Sequence, residues 1–540
     1  MVCRPLWYGG SRSVRVFNRN RCLQPAAAIA SISLVAGCGV LSDSGPDTSK
    51  PIVVGTTSAP TTLDPAASWD GSWELFRNIY QTLLAYPNGA TTPQPDAAES
   101  CRFTDTGNRV YRCRLRAGMK FADGDTLDAQ AVKYSIDRIR SINVAGGPAG
   151  LLGSLDQVQA VDGRDIVFRL NKPDATFPFV LAAPAMSIVD PDDYSAHSLR
   201  KDSQVFGSGP YTLKSYEEGK RAELVKNGHY KGYAQRRNDA VTIRYFQDSA
   251  TMVKALRDGG IDVTYRGLAA DDVVTLQRNG AGNLQLVEGS SADISYLVFN
   301  PKDPWAAKPA VRRAVAQIVD RAAIAHNVYK DTVDPLYSMV PKGLTGHTTG
   351  FFDDFGDPSA DKARRILSAA GVDQKVPLTL WYTTDRYGSE TAEEFQELKR
   401  QLEASGLFTI TLRGRPWKTY VVGYQKGEYP VFGRGWSPDF PDPDNFIAPF
   451  VGRQNALGTP YTAPEITKVL LPESRRESDR AAVVKEFEQA QQVLVDDARL
   501  LPLWQGRQYV AATDDISGGE RALDPSSIMT MWELYRKTSW

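Results

Sequence analysis

LTLWYTTDRYGSETAEEFQELKRQLEASGLFTITL, running from Leu378 to Leu412, opens on one apolar, strand-like run and closes on another. Between them Phe395, Leu398 and Leu402 recur at helical spacing, and Gly406 stops the helix. Strand, helix and strand in about 35 residues make a βαβ unit, which implies a parallel sheet and an α/β fold.

Working upstream, SADKARRILSAAG predicts a helix capped by Ser359, with Ala363, Ile366, Leu367 and Ala370 as its apolar face and Gly371 as its stop. Before it, Val311, Val315, Ile318 and Val319 mark another helix. SYLVFNPKDPW (Ser295 to Trp305) reads as a strand running into a proline-bearing loop, a natural hinge or boundary. Between VTIRYF and IDVTY lies a helix through Met252 to Leu256. GSGPY (Gly207 to Tyr211) is a turn cluster, preceded by strands over 157–172. FADGDTLDAQAVKYSIDRI predicts a turn at Asp123-Gly124, an N-cap at Thr126 and a helix buried on Val132, Ile136 and Ile139. Trp69 to Leu84 also reads as helical. Downstream, a last helix near 480–497 precedes LPLW, and strand-like VAAT returns the chain toward its first half.

At 540 residues, 42% of them hydrophobic, the chain is long enough for about three lobes. Five arginines and no acid lie in residues 1–37, so the remainder carries 58 basic against 63 acidic residues. That balance offers nothing to nucleic acid. The basic stretch ends at Arg21 and is followed by PAAAIASISLVA, too short to span a membrane but suited to a secretory signal. The segment ends Val35-Ala36-Gly37-Cys38, which resembles a lipobox, the bacterial lipoprotein signal whose cysteine is lipidated. An ordinary signal peptide that happens to contain Cys38 is the alternative. GVLSDSGPDTSKP then has the composition of a flexible tether.

Cys101 and Cys113 lie symmetrically about Gly107 in CRFTDTGNRVYRC, so a hairpin would set them opposite each other for a structural disulfide. Two buried free thiols are the other possibility.

No phosphate loop, GxSxG elbow, HExxH or CxxC is present, and the four histidines are far apart. Neither a metal nor a cofactor is expected. GWSPDFPDPDNF, Gly435 to Phe446, holds Asp439, Asp442 and Asp444 among three prolines and three aromatic residues. Proline denies this loop helix and central strand, and it lacks the glycine and terminal glutamate of an EF-hand. It is either an ordinary surface connection or a rigid site for a cation.

The lipobox, LDPA (Leu63 to Ala66), FADGDTLDAQAVKYSIDRI, GSGPY, VFNPKDPW, PAVRRAVAQIVDR and GWSPDFPDPDNF occur in that order over almost the whole mature chain. Together they resemble the dipeptide- and oligopeptide-binding proteins of ABC importers, the family 5 extracellular solute-binding proteins. The resemblance implies a periplasmic-binding-protein-like fold: two α/β lobes closing about a hinge, with an extra domain inserted in the first. With the boundaries above this predicts a lipoprotein signal at 1–37 and a tether at 38–50. The first lobe would be built from 51–89, 207–298 and 509–540, the insertion from 90–206, and the second lobe from 299–508.

The same resemblance implies a non-enzymatic, monomeric receptor, lipid-anchored on the extracellular face of a bacterial cell membrane. It would hand short peptides to permease subunits served by separate ATPases. Asp439 matches the aspartate that pairs with a peptide's α-ammonium in that family, with Trp436 as pocket wall and Phe440 assisting. Asp442 and Asp444 would be structural, Asp444 or Asn445 capping NFIAPF. The family position of Arg386 suggests a receiver for the ligand carboxylate, although the loose local match also suits a surface arginine. Trp417 and Tyr420 resemble pocket-lining positions, with core packing as the alternative. Members of the family that bind sugars, opines or nickel complexes need no ammonium partner. A secreted hydrolase using distant carboxylates and a sensor of signalling peptides are further alternatives.

Overall fold

The computed structural model describes residues 50–67, 72–278 and 283–537. The expected signal, most of the tether and Cys38 lie outside the described residues. An eleven-stranded sheet runs through the molecule. Its order is Phe408–Arg415, Val376–Thr383, Val431–Trp436, Leu284–Phe299, Leu500–Thr513, Val263–Thr264, Ile52–Thr56, Ala240–Tyr245, Arg221–Lys226 and Tyr211–Glu217; Val333–Pro335 pairs to the side. Val376–Thr383 and Phe408–Arg415 pair in parallel, with the helix Thr391–Ala404 as crossover. That is the βαβ unit read from the sequence.

Two long antiparallel strands, Leu284–Phe299 and Leu500–Thr513, belong to both halves of the sheet. Their register shifts between Ser290 and Ile294. On one side of the shift the neighbours are strands of the first half; on the other, Ile294–Phe299 pairs with Val431–Trp436. LPLW and VAAT, read separately in the sequence, therefore lie on one continuous strand. A β-bulge bends a strand locally, so this interruption is the natural pivot between lobes.

A separate four-stranded antiparallel sheet comprises Ala98–Phe103, Val110–Leu115, Asp165–Leu170 and Leu155–Ala160. Cys101 pairs with Cys113 in register, and their sulfurs are bonded at 2.03 Å. This sheet and the first lobe bury one shared core that includes Val54, Phe76, Cys113, Ile136, Phe168 and Tyr211. The second lobe has two cores on opposite faces of its sheet, one around Phe395 and Leu398, the other around Tyr420 and Phe446.

Three local expectations change. The first helix covers Ser72–Ile79, not the full span from Trp69 to Leu84. The Ile79 carbonyl accepts the Gly209 N–H at 3.0 Å, and Leu84–Ala85 pairs with Gln94–Pro95 as a short strand. A Cβ on Gly209 would lie 2.5 Å from the Ile79 carbonyl carbon, so GSGPY is glycine-rich because it abuts that helix end. The helix Ala129–Ile142 is capped by Asp128, whose carboxylate accepts the N–H groups of Gln130 and Ala131. Thr126 is bridged to Lys120 across the turn and so is not at the helix start. In the third case Asp442 caps the 3-10 turn Pro443–Phe446 by accepting the Asp444 N–H, a role the sequence suggested for Asp444 or Asn445. Ser359 does cap Ala360–Ala369, through the Lys362 N–H.

Candidate functional site

GWSPDFPDPDNF leaves the sheet at Trp436, the last residue of Val431–Trp436 and the partner of Ile294 beside the strand interruption. Gly435 is required there: a Cβ would lie 2.8 Å from the Tyr387 ring. The rest of the loop turns inward, and Asp439, Phe440, Asp442 and Asp444 are all buried.

The three carboxylates have different partners. Asp442 accepts Nε and Nη2 of Arg480 at 2.8 and 3.0 Å, and Asp444 accepts Nε and Nη2 of Arg475, both at 2.8 Å. These are bidentate pairs, the strongest geometry for holding a carboxylate. Burial alone would raise Asp444, but the Arg475 guanidinium outweighs it and holds the carboxyl below its ordinary range. Neither arginine was legible as a partner, since each lies more than thirty residues away in sequence.

Asp439 forms no ion pair among the described residues. Its Oδ2 accepts Asn445 Nδ2 at 2.9 Å, and its backbone N–H donates to Asn445 Oδ1 at 2.9 Å. Burial pushes its carboxyl up to about 7, against the opposing pull of the Asn445 hydrogen bond. A carboxylate removed from water without a cation is costly, and an arriving cation relieves that cost.

The surrounding walls are aromatic. Trp436 is half-buried, packs edge-on against Phe450 at 5.0 Å and donates Nε1–H to Asn445 Oδ1 at 3.2 Å. Phe440 meets Phe179, from the turn Phe177–Val180, with ring centroids 6.1 Å apart. The loop thus reaches from the second lobe into the core shared by the first lobe and the four-stranded sheet.

The remaining candidates fall at the end of the βαβ unit. Arg386 is exposed, and its guanidinium stacks 4.7 Å over the Trp417 ring. Trp417 opens the helix Trp417–Gln425; its N–H donates to Asp385 Oδ1 at 2.6 Å, and Tyr387 packs edge-on against it at 5.8 Å. Tyr420 is fully buried, and its hydroxyl donates to the carbonyls of Gly433 and Trp381 at 2.8 and 3.1 Å. It braces the strand before the loop from behind and presents no surface to a cleft, so its pocket-lining assignment gives way to core packing. The ring beside Gly435 is that of Tyr387, whose only sequence signal was its adjacency to Arg386.

Residues 92–458, more than half of the chain, match the family described as bacterial extracellular solute-binding proteins, family 5. The chain is 27% identical over 490 residues to the probable D,D-dipeptide-binding periplasmic protein DdpA of Escherichia coli, covering 86% of this chain and 90% of that protein. Its fold is similar to that of the Helicobacter pylori periplasmic binding protein DppA solved with the peptide STSA. The TM-score is 0.78 at 22% identity, over 91% of this chain and 99% of that one. A similar likeness holds to the binding protein AgaA solved with agropinic acid, with a TM-score of 0.76 at 21% identity over 91% and 99% of the two chains. The matched span, more than half of the chain, shows the family: this chain belongs to the family 5 bacterial extracellular solute-binding proteins.

Proposed function

We propose that the protein captures short peptides by their α-ammonium group at Asp439 and delivers them to an ABC permease, without chemical turnover. One observation carries the reading: of three buried carboxylates in one proline-stiffened loop, two are neutralised by arginines and Asp439 has no cation among the described residues. An ammonium group seated there supplies the missing charge, and closure of the lobes strengthens the pair by excluding water. Trp436 and Phe440 supply apolar wall, while Arg386 and Trp417 at the βαβ end stand ready for the ligand's far end. The peptide named with the Helicobacter protein and the dipeptide named with the Escherichia coli relative support this class of ligand.

Binding would be followed by calorimetry with trialanine and N-acetyl-trialanine. Asp439→Asn is expected to weaken trialanine at least tenfold and leave the acetylated peptide nearly unchanged. Equal trialanine affinity in wild type and variant would refute the assignment. The protein would work outside the cell, anchored through a lipidated Cys38. The mass of the mature N-terminal peptide checks this, an unmodified or differently cleaved terminus counting against it.

A second reading, an opine-like ligand, is favoured by the likeness to AgaA. Native mass spectrometry of protein purified with its cargo distinguishes the two.

A further inference from the structure

Asn445 is 2% exposed and spends its side-chain amide on Asp439 and Trp436, the proposed ammonium acceptor and its aromatic neighbour. Its Oδ1 accepts the Asp439 N–H at 2.9 Å and the Trp436 Nε1–H at 3.2 Å, while its Nδ2 donates to Asp439 Oδ2 at 2.9 Å. Two N–H groups converge on one atom, so the amide has a single allowed orientation; flipping it would set NH2 against both donors.

We infer that Asn445 is the positioning residue of this site: it fixes the Asp439 carboxylate through Oδ2, leaves Oδ1 to accept a cationic ligand, and ties the Trp436 wall to that carboxylate. The inference rests on the reading of Asp439 as ammonium acceptor and adds a residue that sets when the acceptor is charged.

The charged groups around the site are few. On the loop itself Asp442 and Asp444 are neutralised by Arg480 and Arg475. The opposing turn Phe177–Val180 is FPFV and carries no charge. Asp174 and Lys172, which precede that turn, act on Arg475 and Asp444. The shift of Asp439 has two causes only, burial and the Asn445 hydrogen bond, and these oppose each other. Removing the Nδ2 donor therefore raises the pH at which Asp439 ionises. At neutral pH a larger share of the empty protein must then lose a proton before it can hold an ammonium group.

The test is calorimetry of trialanine on the full mature protein, at pH 7 and pH 8, in buffers of different ionisation enthalpy. Wild type, with Asp439 titrating near pH 7, is expected to release about half a proton from this group per peptide bound at pH 7. In Asn445→Leu and Asn445→Ser the release rises toward one. For an upward movement of one pH unit the affinity falls about fivefold at pH 7 and less than about twofold at pH 8. A purely structural defect would weaken binding equally at both values. Asn445→Ser carries the test should the leucine variant not fold.

Wild-type affinity and proton release in both Asn445 variants, with Asp439→Asn still defective, overturn the positioning role and leave Asp439 standing. An equal deficit at both pH values overturns it too. An Asp439→Asn protein that behaves as wild type overturns the underlying reading instead.

Discussion

Asp439 is a side chain whose burial is unfavourable for the empty protein, a cost that a bound cation would relieve under the proposed ammonium-binding role. Its folded-state value near 7 stands above the ordinary 3.8. For a carboxyl raised on folding, the folded state holds the proton more tightly. The contribution of this group to stability is therefore greatest below about pH 4 and declines until about pH 7, by about 4 kcal/mol as an order of magnitude. Asp439→Asn removes that term. Ligand-free variant and wild type are expected to unfold alike near pH 4, while at pH 8 the variant withstands more denaturant. Urea melts at the two pH values measure this, and parallel curves across the range would show Asp439 to be solvated. The sequence singled this residue out by its position after Trp436. That no cation pairs with it among the described residues was not legible, because this is defined by which arginines arrive from elsewhere.

At the scale of elements, LDPA and the helix Ala129–Ile142 are parts of one device. Asp64 is fully buried and accepts Arg138 Nη1 at 2.8 Å, the Arg200 N–H at 2.7 Å and the Ala66 N–H at 3.0 Å. Arg138 lies on the helix Ala129–Ile142, so the pair clamps the opening loop of the first lobe to the four-stranded sheet's helix. Breaking one partner of a buried pair leaves the other charge stranded, at a cost of about 3–5 kcal/mol. Asp64→Ala is expected to lower the unfolding free energy by that amount, whereas replacing Asp64 and Arg138 together with Leu and Met should cost less than the single change. Chemical denaturation of both variants decides. If the double change proves the worse, the hydrogen bonds from Arg138 to the Ser195 and Ser198 carbonyls matter more than the charges. Apolar periodicity exposed this helix plainly; the identity of its cap did not follow, because Thr126 and Asp128 are equivalent until Thr126 pairs across the turn.

Across the whole molecule, the segment that supplies Arg475 and Arg480 also touches the opposite side of the cleft. Asn108 donates to the Arg476 carbonyl at 2.9 Å and accepts from Ser478 at 2.8 Å, and the Ala175 N–H donates to the Arg475 carbonyl at 2.9 Å. Elsewhere Glu390 Oε1 accepts the Ala270 N–H, the first of the helix Ala270–Arg278, at 2.7 Å. That is the favourable end of a helix for an anion. These contacts join the lobes and break if the lobes part, so they bias the balance between open and closed states. Asn108 has a positive φ of 51°, which glycine tolerates. Asn108→Gly therefore removes both side-chain bonds without backbone strain. It is expected to weaken peptide affinity about five- to 150-fold, at about 0.5–1.5 kcal/mol for each of the two neutral hydrogen bonds. The stability of each lobe should hardly move. Unaltered affinity by calorimetry would mean that these bonds persist when the lobes open.

Local chemistry in the chain was enough for the βαβ unit, the disulfide hairpin, the glycine stops and the loop stiffened by proline, since each depends on spacing within a few dozen residues. Tertiary structure alone decided which of three neighbouring aspartates lacks a cation among the described residues, that Tyr420 packs in the core behind the strand, and that Asn445 joins Trp436 to Asp439. Burial and ion pairing depend on partners tens to hundreds of residues away, and no local pattern encodes who those partners are.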